Sequence, residues 1–280
     1  MSASYHQIPL LKAPVWTWEV PAYFFVGGAA GASAAIGAIA QLTNADAALV
    51  RDARWIAAAG SAISGPLLVS DLGRPERFLN MMRVFKLQSP MSVGAWTLAA
   101  FGTASSASAF AEIVQRKTNL PVKIVGDASA MIAAATGLVM ATYTGVLIGA
   151  TAIPVWRENV TLLPIHFGAS SLGSAVSLLE LRGHKHDALN ALGLGAAIFE
   201  SIAAFAVEGS KDRASAPLRE GRSGTLTRIG SALAGPIPLF LRLMGKRKGA
   251  AVAALAGSLV TRFAWVEAGK ASTKDVELAL

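Results

Sequence analysis

The chain reads as an all-α integral membrane protein of about eight transmembrane helices, with two four-helix bundles as one arrangement. Three observations lead there. Of its 280 residues, 53% are hydrophobic and 15% charged, and the mean hydropathy of +0.49 is too apolar for an ordinary soluble domain. Runs of roughly 20 mostly apolar residues, the length that crosses a bilayer, recur along the whole chain. No stretch between them is large enough for a separate soluble domain, so residues 1–280 make a single polytopic membrane domain.

Spans are expected near residues 19–42, 53–70, 90–114, 128–153, 160–180, 187–207, 228–244 and 249–267. The first follows Trp16-Thr17-Trp18 and lacks both a basic start and a cleavage site, so it is read as retained rather than processed. The second closes on Ser70-Asp71-Leu72-Gly73-Arg74-Pro75-Glu76-Arg77-Phe78, and the third opens on Ser89-Pro90-Met91-Ser92-Val93-Gly94-Ala95-Trp96. This charged knot between two apolar helices points to chemistry at a membrane boundary. The seventh carries Gly235-Pro236-Ile237-Pro238, which a membrane helix tolerates where neighbours or water satisfy the freed carbonyls; a re-entrant segment is the alternative.

Small residues fill the helices, as in Gly27-Gly28-Ala29-Ala30-Gly31 and Gly168-Ala169-Ser170-Ser171, and let backbones approach closely where lipid supplies no hydrophobic drive. Pro21-x-Tyr23-Phe24 and Pro164-x-His166-Phe167 each precede such a run, which hints that helices five to eight repeat helices one to four.

The net charge of +8 does not indicate nucleic acid, because Lys and Arg sit in short loops between spans, where they orient the chain and meet lipid headgroups. Lys246-Arg247-Lys248 and Arg116-Lys117 favour the loops after odd helices as cytoplasmic, although total counts lean the other way. Parity is more informative. With eight spans, Glu19 and Tyr23 at the start of helix one, Asp71 and Arg74 at the end of helix two, Ser89 and Ser92 at the start of helix three, and His166 early in helix five all fall on the N-terminal side. Tyr143 and Glu200 lean toward it.

Each of these residues has an ordinary reading beside a functional one. Asp71 and Arg74 are a boundary ion pair or part of a site. Glu19 suits the first turn of a helix by the dipole. Tyr23 and Tyr143 are packing or belt aromatics or ligand contacts, and His166 is a hydrogen-bonded core histidine or a ligand. Glu200, inside Ala-Ala-Ile-Phe-Glu-Ser-Ile-Ala-Ala-Phe, lies deep enough that it must be neutral, paired or hydrated, and function is favoured there. The chain has no cysteine, so it holds neither an iron–sulfur cluster nor a thiolate metal site. Of the four histidines His6 lies near the terminus, His184 and His186 lie in a loop, and His166 alone lies in a span, so a bis-histidine haem across the bundle lacks ligands; no metal ligands are assigned. No phosphate-binding glycine loop or catalytic serine motif is present. Any redox centre is borrowed.

Trp18-Glu19-x-Pro21-x-Tyr23-Phe24-Phe25-x-Gly27-Gly28, Asp71-Leu72-Gly73-Arg74-Pro75, Ser89-Pro90-Met91-Ser92-x-Gly94-Ala95-Trp96, Tyr143-Thr144-Gly145-Val146-Leu147 with Pro154-x-Trp156, and Arg262-Phe263 with Glu267-Ala268-Gly269 resemble the NrfD/PsrC family, the membrane subunits of polysulfide reductase, formate-linked nitrite reduction and related molybdenum enzymes. The resemblance runs in order over nearly the whole chain and is weakest from about 205 to 245. It implies an eight-helix subunit without haem in the bacterial cytoplasmic membrane, termini outside, binding quinone near the outer face. It also implies an iron–sulfur partner subunit and a catalytic subunit, of molybdopterin or cytochrome c type. By motif position the quinone contacts fall on Glu19, Tyr23 and Tyr143; helix one carries Glu19 and no histidine, a departure from the polysulfide reductase member.

Quinol oxidation releases two electrons and two protons, so a site needs hydrogen-bond partners for the oxygens, a proton acceptor and an apolar cleft. On this reading Tyr143 and Glu19 or His166 hold the head group, Asp71 accepts a proton, Arg74 sets its charge state, and Glu200 belongs to a proton path. Two other classes remain: a small-solute or ion transporter, supported by the repeat, the broken seventh segment and Glu200, and a purely structural membrane anchor.

Overall fold

The computed structural model describes residues 11–274 apart from 75 and 119–120; His6 and Pro75 therefore lie outside the described residues. All the regular elements described are helical: α1 Glu19–Leu42, α2 Ala47–Asp71, α3 Glu76–Met81, α4 Pro90–Lys117, α5 Lys123–Gly149, α6 Pro154–Glu158, α7 Leu162–Leu181, α8 Asp187–Gly209, a 3-10 turn Arg213–Leu218, α9 Gly221–Ala234, α10 Pro236–Leu243 and α11 Arg247–Ser272. Five of them, α1, α5, α7, α8 and α11, are long and apolar enough to cross a membrane. The helices α2 and α4, at 25 and 28 residues, have the length but carry more polar side chains. The chain is an all-α multi-pass membrane protein.

The expected seventh span differs most from the structure. It starts earlier, at Gly221, and is two helices, broken at Gly235 with Pro236 as the first residue of α10. Neither half spans a core of ~30 Å alone, since 14 residues rise about 21 Å. The break faces α8: a Cβ on Gly235 would lie 2.7 Å from the Ser201 backbone nitrogen, so only glycine admits this approach. Elsewhere α2 overruns its hydropathy window from residue 47 and α11 to residue 272, because a helix continues through charged turns until it is capped. The window 128–153 is instead too long at its end, since α5 stops at Gly149, and α7 begins at Leu162 rather than at 160. Asp46 caps α2 by accepting from the Ala48 N–H at 2.9 Å. Ser89 caps α4, with Pro90 at its first turn.

Packing divides the helices into two rings of four. In one, α1, α2, α4 and α5 contact one another in turn; in the other, α7, α8, α9–α10 and α11 do so. The rings meet where α1 packs on α7 and α11, and α5 on α7. Small residues permit this: Gly31 of α1 and Gly137 of α5 lie backbone to backbone, and a Cβ on Gly137 would come within 2.6 Å of the Gly31 carbonyl oxygen. The helices that carry the Pro-x-Tyr-Phe and Pro-x-His-Phe signatures, α1 and α7, are thus neighbours, with Phe24 and Phe167 rings 6.2 Å apart.

Candidate functional site

At one end of the first ring, the start of α1, the end of α2, the start of α4 and the end of α5 surround a narrow cleft with about 60 Å³ of free volume. Tyr23, Asp71 and Tyr143 line it, against mostly apolar walls that include Leu67, Met81 and Met91. The local sequence explains the placement. Tyr23 lies one turn into α1 and is 2% exposed, while Asp71 is the last residue of α2, before the left-handed Gly73 turns the chain away. Tyr143 reaches across to α4, where its hydroxyl donates to the Pro90 carbonyl, and its ring lies where a side chain at residue 94 would stand, so Gly94 makes room for it. The Tyr23 hydroxyl has no hydrogen-bond partner among the described residues, which leaves a phenol at the cleft with a donor to offer.

Outside the cleft, the Thr17 hydroxyl lies against both Glu19 and Asp71, at 3.2 Å from Asp71 Oδ1. A hydroxyl has one proton and satisfies one carboxylate at a time; a proton held by either carboxyl group completes the second hydrogen bond. Glu19, Thr17 and Asp71 thus form a row suited to holding one proton at the mouth of the cleft. No ion pair joins Asp71 to Arg74 among the described residues. Arg74 is exposed, and Thr17, absent from the sequence-level candidates, takes the place expected of it.

His166 and Glu200 lie elsewhere. Both are buried in the second ring, with His166 Nε2 2.8 Å from Glu200 Oε2. The indole N–H of Trp265 donates to His166 Nδ1 at 3.3 Å, so Nδ1 is the bare nitrogen and Nε2 donates to Glu200. The carboxylate's other oxygen has no hydrogen-bond partner among the described residues. Arg262, fully buried, donates to the Phe167 carbonyl at 3.0 Å and to Ser171 Oγ at 3.3 Å, with its guanidinium 4.0 Å from the Phe167 ring centroid. Toward the opposite end, Arg242 and Glu180 form a buried bidentate pair at 2.7 and 2.8 Å.

An aromatic wall separates cleft and cluster. Trp16 lines the cleft and stacks on Trp156 at 5.1 Å, and the Trp156 indole donates to the Trp265 carbonyl at 2.8 Å. Of these groups, Arg262 was legible by the argument that singled out Glu200, a charge within an apolar run. Thr17 and the tryptophan contacts carry no such signal. The structure brings Tyr23, Asp71 and Tyr143 together, places Glu19 one hydroxyl away, and sets His166 and Glu200 apart.

The class this defines is a polytopic helical membrane protein with a polar-lipped apolar cleft at one end of a four-helix ring. The family model described as "Polysulphide reductase, NrfD" matches residues 6–186, about two thirds of the chain, including the whole first ring and α7. The chain belongs to the NrfD family, the membrane subunits of respiratory oxidoreductases. All residues of the cleft and its mouth fall within the match; Glu200 and Arg262 fall beyond it. No curated protein matches the chain.

Proposed function

We propose that the cleft binds the head group of a membrane quinone or quinol, and that the subunit exchanges electrons between the quinone pool and an iron–sulfur partner serving a molybdopterin or cytochrome c subunit, in the bacterial cytoplasmic membrane with its termini outside. One observation carries the reading: two tyrosines and a carboxyl group from three helices converge on one apolar cleft at the end of a ring. The residues fit such a molecule. A flat ring needs apolar walls and hydrogen-bond groups at its two oxygens, and the unpartnered Tyr23 hydroxyl supplies a donor. The free volume is small, and Met81 and Met91 are flexible side chains that can yield to a ring.

A bound quinol supplies two electrons, which leave to the partner's clusters, and two protons, which the protein must take. Asp71 accepts the two protons one after the other at its carboxylate and passes each to Glu19 through Thr17, which leads it toward the exposed surface before the next arrives. Tyr143, held by the Pro90 carbonyl, positions an oxygen of the head group. Arg74, exposed beyond the mouth, adds positive charge near the carboxylates without pairing to them. His166 and Glu200 make a second proton-holding pair, shielded from the cleft by the tryptophans.

The test is quinol-linked electron transfer by the intact complex in membranes carrying Asp71→Asn or Tyr143→Phe. Loss in both, with the subunit still assembled, is expected; wild-type transfer in both overturns the assignment. A transport reading draws on the α9–α10 break beside Ser201 and the buried Glu200. It requires the chain alone to move a solute or ion in liposomes.

A further inference from the structure

We infer that the end of the molecule opposite the cleft carries a binding site for a zinc-like divalent cation, formed by Asp46, His184 and His186. One ligand atom from each lies within 4.8 Å of the others. The three come from two loops remote in sequence: Asp46 from the loop between α1 and α2, and the two histidines from the loop between α7 and α8. The site therefore joins one ring of helices to the other.

The chemistry of the donors is consistent. Imidazole nitrogen and carboxylate oxygen are the usual non-thiolate ligands of zinc, at about 2.0–2.2 Å, and three protein ligands leave a fourth position for water. Asp46 caps α2 through Oδ1, which leaves Oδ2 for a cation. The second observation is a supporting carboxylate. His184 Nε2 lies 3.0 Å from Oδ2 of the buried Asp52, a contact that fixes the ring and leaves Nδ1, with no protein partner among the described residues, as the nitrogen for a cation. A carboxylate behind a ligating histidine is the arrangement that orients metal ligands and raises their basicity.

Asp52 is held in turn by Arg182 at 3.2 and 3.3 Å, so the histidine's support is anchored to the end of α7. Arg182 and Lys185 add positive charge nearby, and Asp46 supplies the ligand charge that offsets it. Asp46 is exposed and His186 only half-buried, so both have freedom to close the remaining distance, and His184 also lines an open cavity of about 420 Å³ that admits ions from solvent. Sequence reading placed His184 and His186 in a loop and assigned no metal; folding alone brings Asp46 and Asp52 to them.

The full chain, purified without a histidine tag and stripped of metal, is titrated with zinc chloride by calorimetry, and bound zinc is counted after dialysis. One zinc per chain is expected. His186→Ala and Asp46→Asn each weaken binding at least tenfold; the second keeps a side chain able to cap α2, so its effect reports the lost ligand charge. Asp52→Asn weakens it roughly 10–100-fold, the usual effect of removing a metal ligand's support. His6→Ala leaves binding unchanged. Saturating zinc raises the unfolding temperature of the wild type and not of His186→Ala. Absence of binding, undiminished binding in His186→Ala and Asp46→Asn, or loss of binding in His6→Ala overturns the assignment.

Discussion

Tyr23 and His166 occupy matching places, each two residues after a proline near the start of adjoining helices, yet one faces open space and the other is locked. Tyr23 lines a cleft and keeps a free hydroxyl, whereas both ring nitrogens of His166 are engaged, by Glu200 and Trp265. The aromatic residues make the difference. In the second ring Trp265 and Phe167 stand beside the histidine, Glu200 is held through one oxygen by His166, and Arg242 is paired with Glu180. In the first ring Gly94 and Ala95 stand where bulk would close the cleft, so the polar groups at its lip remain available to something from outside. On the proposed reading, the first ring serves exchange with a bound molecule and the second retains its charges.

The largest expected effect tests the open ring. Asp71→Asn should lower quinol-linked turnover by about 10²–10⁴-fold, the range for loss of a positioned proton acceptor. Glu200→Gln, in the closed ring, should leave the affinity of a quinol analogue, read by fluorescence titration, within about twofold, as distant sites act independently. A loss of analogue affinity well beyond twofold in Glu200→Gln would erase the distinction between the rings.

Glu180→Ala addresses retention. It strands the Arg242 guanidinium in the interior and should cost about 3–5 kcal/mol in unfolding free energy in detergent micelles, most of it recovered by the double variant Glu180→Leu/Arg242→Met. A loss below about 1 kcal/mol, the level of a surface pair, would show that solvent reaches the second ring.

Gly94→Ala tests the space itself. The added methyl strikes the Tyr143 ring, and overpacking of this kind costs roughly 1–3 kcal/mol while displacing the tyrosine into the cleft. Analogue affinity should fall with stability, and unchanged affinity would place the ligand elsewhere. Thr17→Val is the mildest change: it cuts the link between Glu19 and Asp71 and should slow turnover about fivefold, the worth of one hydrogen bond of ~1 kcal/mol.

Much of the first ring was legible from residue order. Asp71 ends its helix on the side where Tyr23 begins its own, Tyr143 in the second half of its helix leans that way, and alternation of helix direction carries such residues toward one end of a bundle; the role of Tyr143 as a head-group contact comes from the family resemblance. The same reasoning put His166 and Glu200 on that side but could not separate them from the cleft, because parity specifies the end of a helix and not its angular position about the axis. The ion pair expected between Asp71 and Arg74 failed for a local reason: after Asp71 the chain turns at Gly73 in a left-handed conformation, and Arg74 points to solvent.

Composition and hydropathy by themselves determined a polytopic helical membrane protein, since each apolar run must satisfy its own backbone hydrogen bonds in lipid and does so as a helix. The sequence marks Gly235-Pro236-Ile237-Pro238 as the irregular point of the seventh span but leaves a tolerated kink and a re-entrant segment both open. The fold resolves it as two helices meeting at Gly235, whereas Pro66 stays inside an unbroken α2. Tertiary structure alone decided which polar groups meet: Thr17 with Asp71, Trp265 with His166, Arg242 with Glu180, and Asp52 with His184. Those pairings span up to 132 residues and depend on the rotation and depth of each helix, quantities set by the packing of small residues at the crossings and invisible in any single segment.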